Sequence, residues 1–249
     1  MDTGYNEAEF KELISKYNYK EIMHHTFKNV ITPQFKERGF RKNNKTFYKE
    51  RDGLIEICNV QFSSFNHRTT SSLTYNISIA IPSLYKSLGI TVKNKLEATV
   101  FESRYGTIIL YLNGIPSNFD YWYRLEAYTP SNINEFESEI DENINLLSNQ
   151  LDSRYNIKTG EGFEEVVVAD IDNYILKFFE SIPDAETLLD HIENDDPKGI
   201  IDESMMLQTS MLYYSNGEIE KGKKILNRIG NGNYKVLIER YTTDGIISL

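Results

Sequence analysis

The chain reads as an α+β fold: an N-terminal helix packed on an antiparallel sheet of about five strands, followed by an all-helical acidic subdomain. Three observations predict it. Apolar residues from Tyr19 to Phe35 recur at three- and four-residue steps, as on one face of a helix. Residues 73–81 alternate strictly, and an Asp52-Gly53 dipeptide between two strand-like runs marks a tight hairpin. After residue 159 every periodic segment is helical and the charge balance turns sharply acidic. The corresponding organisation is an arm over 1–18, an α+β domain over 19–158 and a helical subdomain over 159–249.

The elements follow in order. Residues 1–18 form an arm or a short helix. In the next helix Ile22, Met23, Phe27, Val30, Ile31 and Phe35 make the apolar stripe. Pro33 lacks a backbone donor, so it kinks or splits this helix after Ile31. Gly39 suits the left-handed residue that ends a helix, with Arg38 favourable in the last turn. Strands are predicted over 45–51, 54–63 and 73–81, near 98–102 and over 107–112, the last two joined by a turn at Tyr105-Gly106. In the second strand Ile55, Ile57, Asn59 and Gln61 share one face, and Cys58, Val60 and Phe62 the other. The aromatic-rich stretch 117–130 holds Trp122, the single tryptophan. Ser131 or Asn132 caps a helix running to about Arg154, with Ile133, Phe136, Ile140, Ile144, Leu147 and Leu151 as its stripe. Residues 159–162 are the expected boundary. Helices follow over 170–181, 184–193, 201–215 and 218–229, and the last two resemble a single hairpin of the tetratricopeptide type. One hairpin without a second copy reads as local packing.

Composition excludes several chemistries. The lone Cys58 cannot form an intramolecular disulfide or a thiolate-rich zinc site, and its apolar surroundings point to an inert thiol. Adjacent His24 and His25 diverge by about 100° on a helix and cannot chelate one ion as an i, i+4 pair would. No phosphate-binding loop, dinucleotide fingerprint or nucleophile elbow is present, so neither a cofactor nor a metal is expected and the chain reads as a non-enzyme. No apolar run reaches the roughly 20 residues that cross a bilayer. The polar N-terminus lacks a signal-like segment, and a cytoplasmic location is expected.

Charge carries the functional signal. Residues 1–130 hold 17 Lys or Arg against 13 Asp or Glu, whereas residues 131–249 hold 10 against 24. Within the first half, residues 35–51 form a basic island of seven Lys or Arg interleaved with Phe35, Phe40, Phe47 and Tyr48. Arg41, Lys42 and Lys45 are its candidate binding residues. Three readings stay open for the island: a solvated sheet edge protected by lysines, a docking surface for an acidic partner or the chain's own acidic half, and a nucleic-acid-binding strip with Arg41, Lys42 and Lys45 on phosphates and Phe47 or Tyr48 stacking. Asn59 and Gln61 are candidates on the sheet, either hydrogen-bonded within it or lining an open groove, and Trp122 is a further candidate binding residue. The acidic half should attract a basic protein partner, with neutralisation of a basic toxin domain, as immunity proteins do, as one such role. The pI near 5.0 argues against nucleic acid as the main partner. The alternative is a small-molecule or nucleic-acid-binding module that uses the basic segment and the open sheet face.

One longer pattern resembles a known family. Pro33, Phe35, Lys36, Gly39, Phe40, Arg41 and Lys42 close a helix, Thr46, Phe47 and Tyr48 open a strand, and Asn59, Val60, Gln61 and Ser63 end the next. This spacing resembles the bacterial family known as domain of unknown function 4304, over roughly residues 19–128. The resemblance implies structural roles: Gly39 stops the helix, Phe40 and Phe47 pack beneath it, and Gln61 bonds across the sheet.

Overall fold

A computed structural model of the chain describes residues 7–87, 91–115, 117–127, 142–194, 201, 203–215 and 217–230. The chain opens with α1 (Glu7–Lys16) and α2 (Tyr19–Thr26). Asn18 caps α2 by accepting from the Glu21 N–H. A π-helical turn, Phe27–Ile31, then leads straight into α3 (Thr32–Glu37). This widened turn is the form the expected kink takes. The Thr32 N–H reaches back to the Phe27 carbonyl, and the extra residue makes room just where Pro33 brings a ring and no N–H. Gly39, at φ +84°, ends the helix as expected.

Among the described residues the sheet has six strands: β1 (Arg41–Asn43), β2 (Thr46–Arg51), β3 (Leu54–Phe62), β4 (Thr70–Ala80), β5 (Thr99–Arg104) and β6 (Tyr123–Glu126). The first five form an antiparallel meander in sequence order. Asp52 (φ 46°) and Gly53 (φ 81°) make the β2–β3 hairpin turn, with both central residues left-handed as a two-residue type I′ turn requires. β6 pairs with the first part of β4, Thr70–Leu73, and β5 with the second, Asn76–Ala80, so the two lie end to end along one edge of β4. β4 is thereby covered on both flanks.

The predicted strand over 107–112 is a helix, α5 (Tyr105–Leu112), and the expected Tyr105-Gly106 turn is its first two residues. Residues 105–110 are all buried, so no polar face marks a period and the apolar run reads equally as strand or helix. Gly106 is required there. A Cβ at that position would sit 2.4 Å from the Phe119 carbonyl oxygen and 2.6 Å from the Tyr121 nitrogen, where the chain passes over α5 on its way into β6. β1 and β6 are strands that the sequence pattern does not announce.

The remaining helices are α6 (Glu142–Asp152), α7 (Phe163–Asp170), a second π-helical stretch (Ile171–Leu176) running into α8 (Lys177–Ser181), α9 (Ala185–Asn194), α10 (Glu203–Ser215) and α11 (Ile219–Leu226). Short α4 (Pro82–Ser87) follows β4. Ile133, Phe136 and Ile140 of the predicted helix 131–154 lie outside the described residues.

One face of the sheet carries the core. Phe47, Cys58, Val60, Leu73, Tyr75, Ile77, Ile79 and Phe101 pack there with residues of α2, α3, α5 and α7 through α11, in one apolar cluster that runs from Leu13 to Ile229. Residues 159–162 form the turn into α7, and the cluster is continuous across it. A chain of rings links the halves: Phe35 stacks on Phe47 (4.5 Å between centroids), Tyr75 meets Tyr105 edge-on (5.4 Å), Tyr105 stacks on Tyr123 (5.7 Å), and Tyr123 meets Phe163 (6.1 Å). On the opposite face only one end is apolar, where Ile55, Ile57, Ala80 and Ala98 cluster under Tyr85, Val92 and Leu96. The other end is polar.

Candidate functional site

The polar end of that second face is built by strand register. Asn43 pairs with Thr46, Thr46 with Asn59, Asn59 with Asn76, and Asn76 with Arg104, so one polar row crosses five strands. Gln61, two residues along β3 from Asn59, joins it. Arg104 Nη1 donates to Asn76 Oδ1 (2.5 Å) and to Gln61 Oε1 (2.7 Å). Asn76 Nδ2 donates to Gln61 Oε1 (2.9 Å) and to Asn59 Oδ1 (3.4 Å), and Asn59 Nδ2 donates to Thr46 Oγ1 (2.9 Å). The predicted pair Asn59 and Gln61 is therefore brought together, and Gln61 does bond across the sheet. Asn76 and Arg104 complete the row and were missed. They lie 15 and 43 residues from Gln61, a separation that strand periodicity cannot bridge without the register. Trp122 is half-buried. Its neighbours Tyr121 and Tyr123 both enter the core cluster, so alternation turns Trp122 toward the polar face.

The basic triplet is divided by the sheet rather than gathered. Arg41 stands opposite Tyr48, in register with Ile57 on the open face, and lies 4.0 Å from Glu50. Lys42 pairs with Phe47 and places its ammonium 4.6 Å from the centre of the Phe27 ring, on the core side. Lys45, in the β1–β2 turn, lies 4.7 Å over Phe62, whose ring also stacks on His24. All three basic residues are exposed.

Two other members of the basic island dock on the chain's own acidic half. Arg38 donates Nε and Nη2 to the two carboxylate oxygens of Asp172, both at 2.7 Å. Arg51 donates to the carbonyls of Phe179 (2.8 Å) and Ile182 (3.0 Å) and pairs with buried Glu56 (2.8 Å). Burial pushes the Glu56 carboxyl up, against the pull of Arg51 and Lys49. Deeper still, Asp170 accepts two bonds from Arg154 (2.5 and 2.7 Å) and one from the Tyr123 hydroxyl (2.5 Å). Tyr123 of β6 and Arg51 of β2 tie α7 and α8 to the sheet, while Arg38 and Arg154 tie the same stretch to the segments after α3 and α6. Cys58 is fully buried and burial pushes its thiol well up.

A second surface lies between α9, α10 and α11. Glu186, Asp190 and Glu193 fall four and three residues apart on α9 and so share one helix face. With Glu218, Thr187, Leu189, Tyr213 and Lys221 they line a groove of about 600 Å³. Glu193 accepts from the Tyr213 hydroxyl (3.2 Å) and from Lys224 (3.2 Å), and Glu218 pairs with Lys221 (2.8 Å). Burial, and then the charge of Glu193, raise the Tyr213 hydroxyl pKa. Among the described residues Glu186 and Asp190 carry no ion pair. No group of three or more His, Cys, Asp or Glu able to hold a metal ion occurs among the described residues. Nor is any helix among them long and apolar enough to cross a membrane.

These features define an α+β domain whose sheet is braced by helices on one face and is polar at one end of the other. The chain belongs to the family described as domain of unknown function (DUF4304), whose model matches residues 31–181. The match starts twelve residues later than Tyr19 and extends well past residue 128, so α7 and α8 belong to the family's domain along with the meander they cover. No curated protein and no solved structure shows significant similarity to the chain.

Proposed function

We propose that this protein is a non-enzymatic, cytoplasmic binding module of bacterial type whose acidic helical face captures a basic protein. A basic toxin-like domain is one such partner. The observation that carries the reading is the α9–α11 groove, where four carboxylates converge and two of them, Glu186 and Asp190, form no salt bridge with a described residue. Three acids elsewhere in the acidic half are paired internally: Asp152, Asp170 and Asp172 neutralise Arg124, Arg154 and Arg38. On α9, Glu186 and Asp190 form no salt bridge with a described residue and face the groove. Such a surface steers an oppositely charged protein and weakens as salt screens it.

Affinity capture from host lysate tests this, with the wild-type chain beside the Glu186→Lys/Asp190→Lys double variant. The expected result is a basic protein retained by the wild type at physiological salt, released on raising salt and absent from the variant. Equal retention by both chains would refute the acidic face as the binding surface.

A further inference from the structure

We propose that the polar row on the open sheet face is a binding site for an oxyanion, a carboxylate or a phosphate, held by Arg104 and Gln61. The argument starts from the donor inventory. Arginine has five N–H donors and no acceptor, so any amide beside it must present its oxygen. Arg104 Nη1 thus fixes the orientation of both Gln61 and Asn76, which each turn their carbonyl oxygen toward it at 2.5–2.7 Å. That choice propagates along the row. The Asn76 amide nitrogen bonds to the oxygens of Gln61 and Asn59, which leaves the Asn59 nitrogen to Thr46.

The acceptors facing Arg104 are consumed in this way, and the surplus is all donor. Among the described residues no hydrogen bond occupies Gln61 Nε2 or Arg104 Nη2, and Arg104 Nε faces Asp120 Oδ1 only at 3.8 Å, beyond hydrogen-bond range. The Arg104 side chain is about two-fifths exposed and anchored through Nη1 by two short bonds, so it loses less freedom on taking a ligand than an unanchored arginine would. A donor fork beside an amide N–H₂ matches the two oxygens of a carboxylate or of a phosphate edge. The ligand competes with the Asp120 carboxylate, which lies 3.8 Å from Arg104 Nε. This site is separate from the acidic groove and stands whether or not that groove takes a partner.

The test is a two-dimensional NMR titration of the full chain, following the Gln61 side-chain amide and the Arg104 Nε–H. Inorganic phosphate is added in one arm and succinate in the other, with ionic strength held constant by chloride. Saturable shifts confined to these groups and their row are expected, with a dissociation constant on the order of 1 mM. Arg104→Gln should weaken binding at least tenfold while its amide dispersion stays that of the wild type. Arg124→Gln, which removes a guanidinium already paired with Asp152, should leave binding unchanged. Saturation by phosphate alone assigns a phosphate site, and by succinate alone a carboxylate site. Linear, unsaturable shifts in both arms, or equal shifts in the Arg104→Gln chain, would overturn the proposal.

Discussion

The Asp170 centre offers the sharpest test of how the helical half is held to the sheet. Asp170 is 1% exposed and accepts three hydrogen bonds, whereas the Arg154 side chain keeps 28% of its surface in solvent. Asp170→Asn removes the counter-charge but leaves Arg154 a route to water. Arg154→Met strands a carboxylate that has only the Tyr123 hydroxyl left. Breaking one side of a buried pair costs about 3–5 kcal/mol, against about 1 kcal/mol for losing a neutral hydrogen bond. We therefore expect Asp170→Asn near the lower end of that range and Arg154→Met near the upper. At roughly 2–4 °C per kcal/mol for a chain of this size, the melting temperature should fall by roughly 6–20 °C. The double variant Asp170→Asn/Arg154→Met, which buries no charge, should be more stable than Arg154→Met alone. Urea unfolding followed by far-ultraviolet circular dichroism reads all three. A loss below about 1 kcal/mol for Asp170→Asn, or a double variant less stable than Arg154→Met, would refute this account of the centre.

Three further outcomes follow from the packing. Because burial raises the Glu56 carboxyl above its ordinary 4.5, the folded state binds that proton more readily than the unfolded chain. Glu56 therefore takes stability away as pH rises from 4.5 through its raised folded value. In the difference between wild-type and Glu56→Gln unfolding free energies measured against pH, a descending step should appear in that window, and a flat difference would contradict the shift. Gly106→Ala should cost about 1–3 kcal/mol by thermal unfolding, since backbone at 2.4 and 2.6 Å cannot give way cheaply, and a neutral effect would contradict the close approach of 119–121 to α5. Cys58 should stay unreactive toward a thiol reagent in the native protein and react once urea unfolds it. Rapid native labelling would place the thiol outside the core.

Local signals in the sequence were read well where one residue type admits one backbone solution. Asp52-Gly53 specified its turn, Gly39 its helix end, and the alternation from Leu73 to Ile81 its strand, because each depends on neighbours only. The helix over 105–112 was hidden for the opposite reason. Its surroundings bury every side, and an apolar run without a polar face has no readable period. β1 was hidden because its three residues are all exposed and only backbone pairing makes it a strand. The site was half legible. Asn59 and Gln61 stood out as amides in a strand, but the guanidinium that orients them arrives from β5 through register. Likewise the basic island looked like one patch, while the fold sends Arg38 and Arg51 inward to the π-helical stretch after α7 and to α8, Arg41 to one face, and Lys42 and Lys45 over rings on the other.

The central claim is that the molecule works by presenting charge on α9 to a basic protein. The most direct measurement is the dissociation constant of the captured partner from about 0.1 M to about 1 M salt, a span that shortens the screening length from about 10 Å to about 3 Å. Affinity should fall by more than about tenfold for the wild-type chain and start that much weaker for Glu186→Lys/Asp190→Lys. An affinity indifferent both to salt and to these two charge reversals would contradict it.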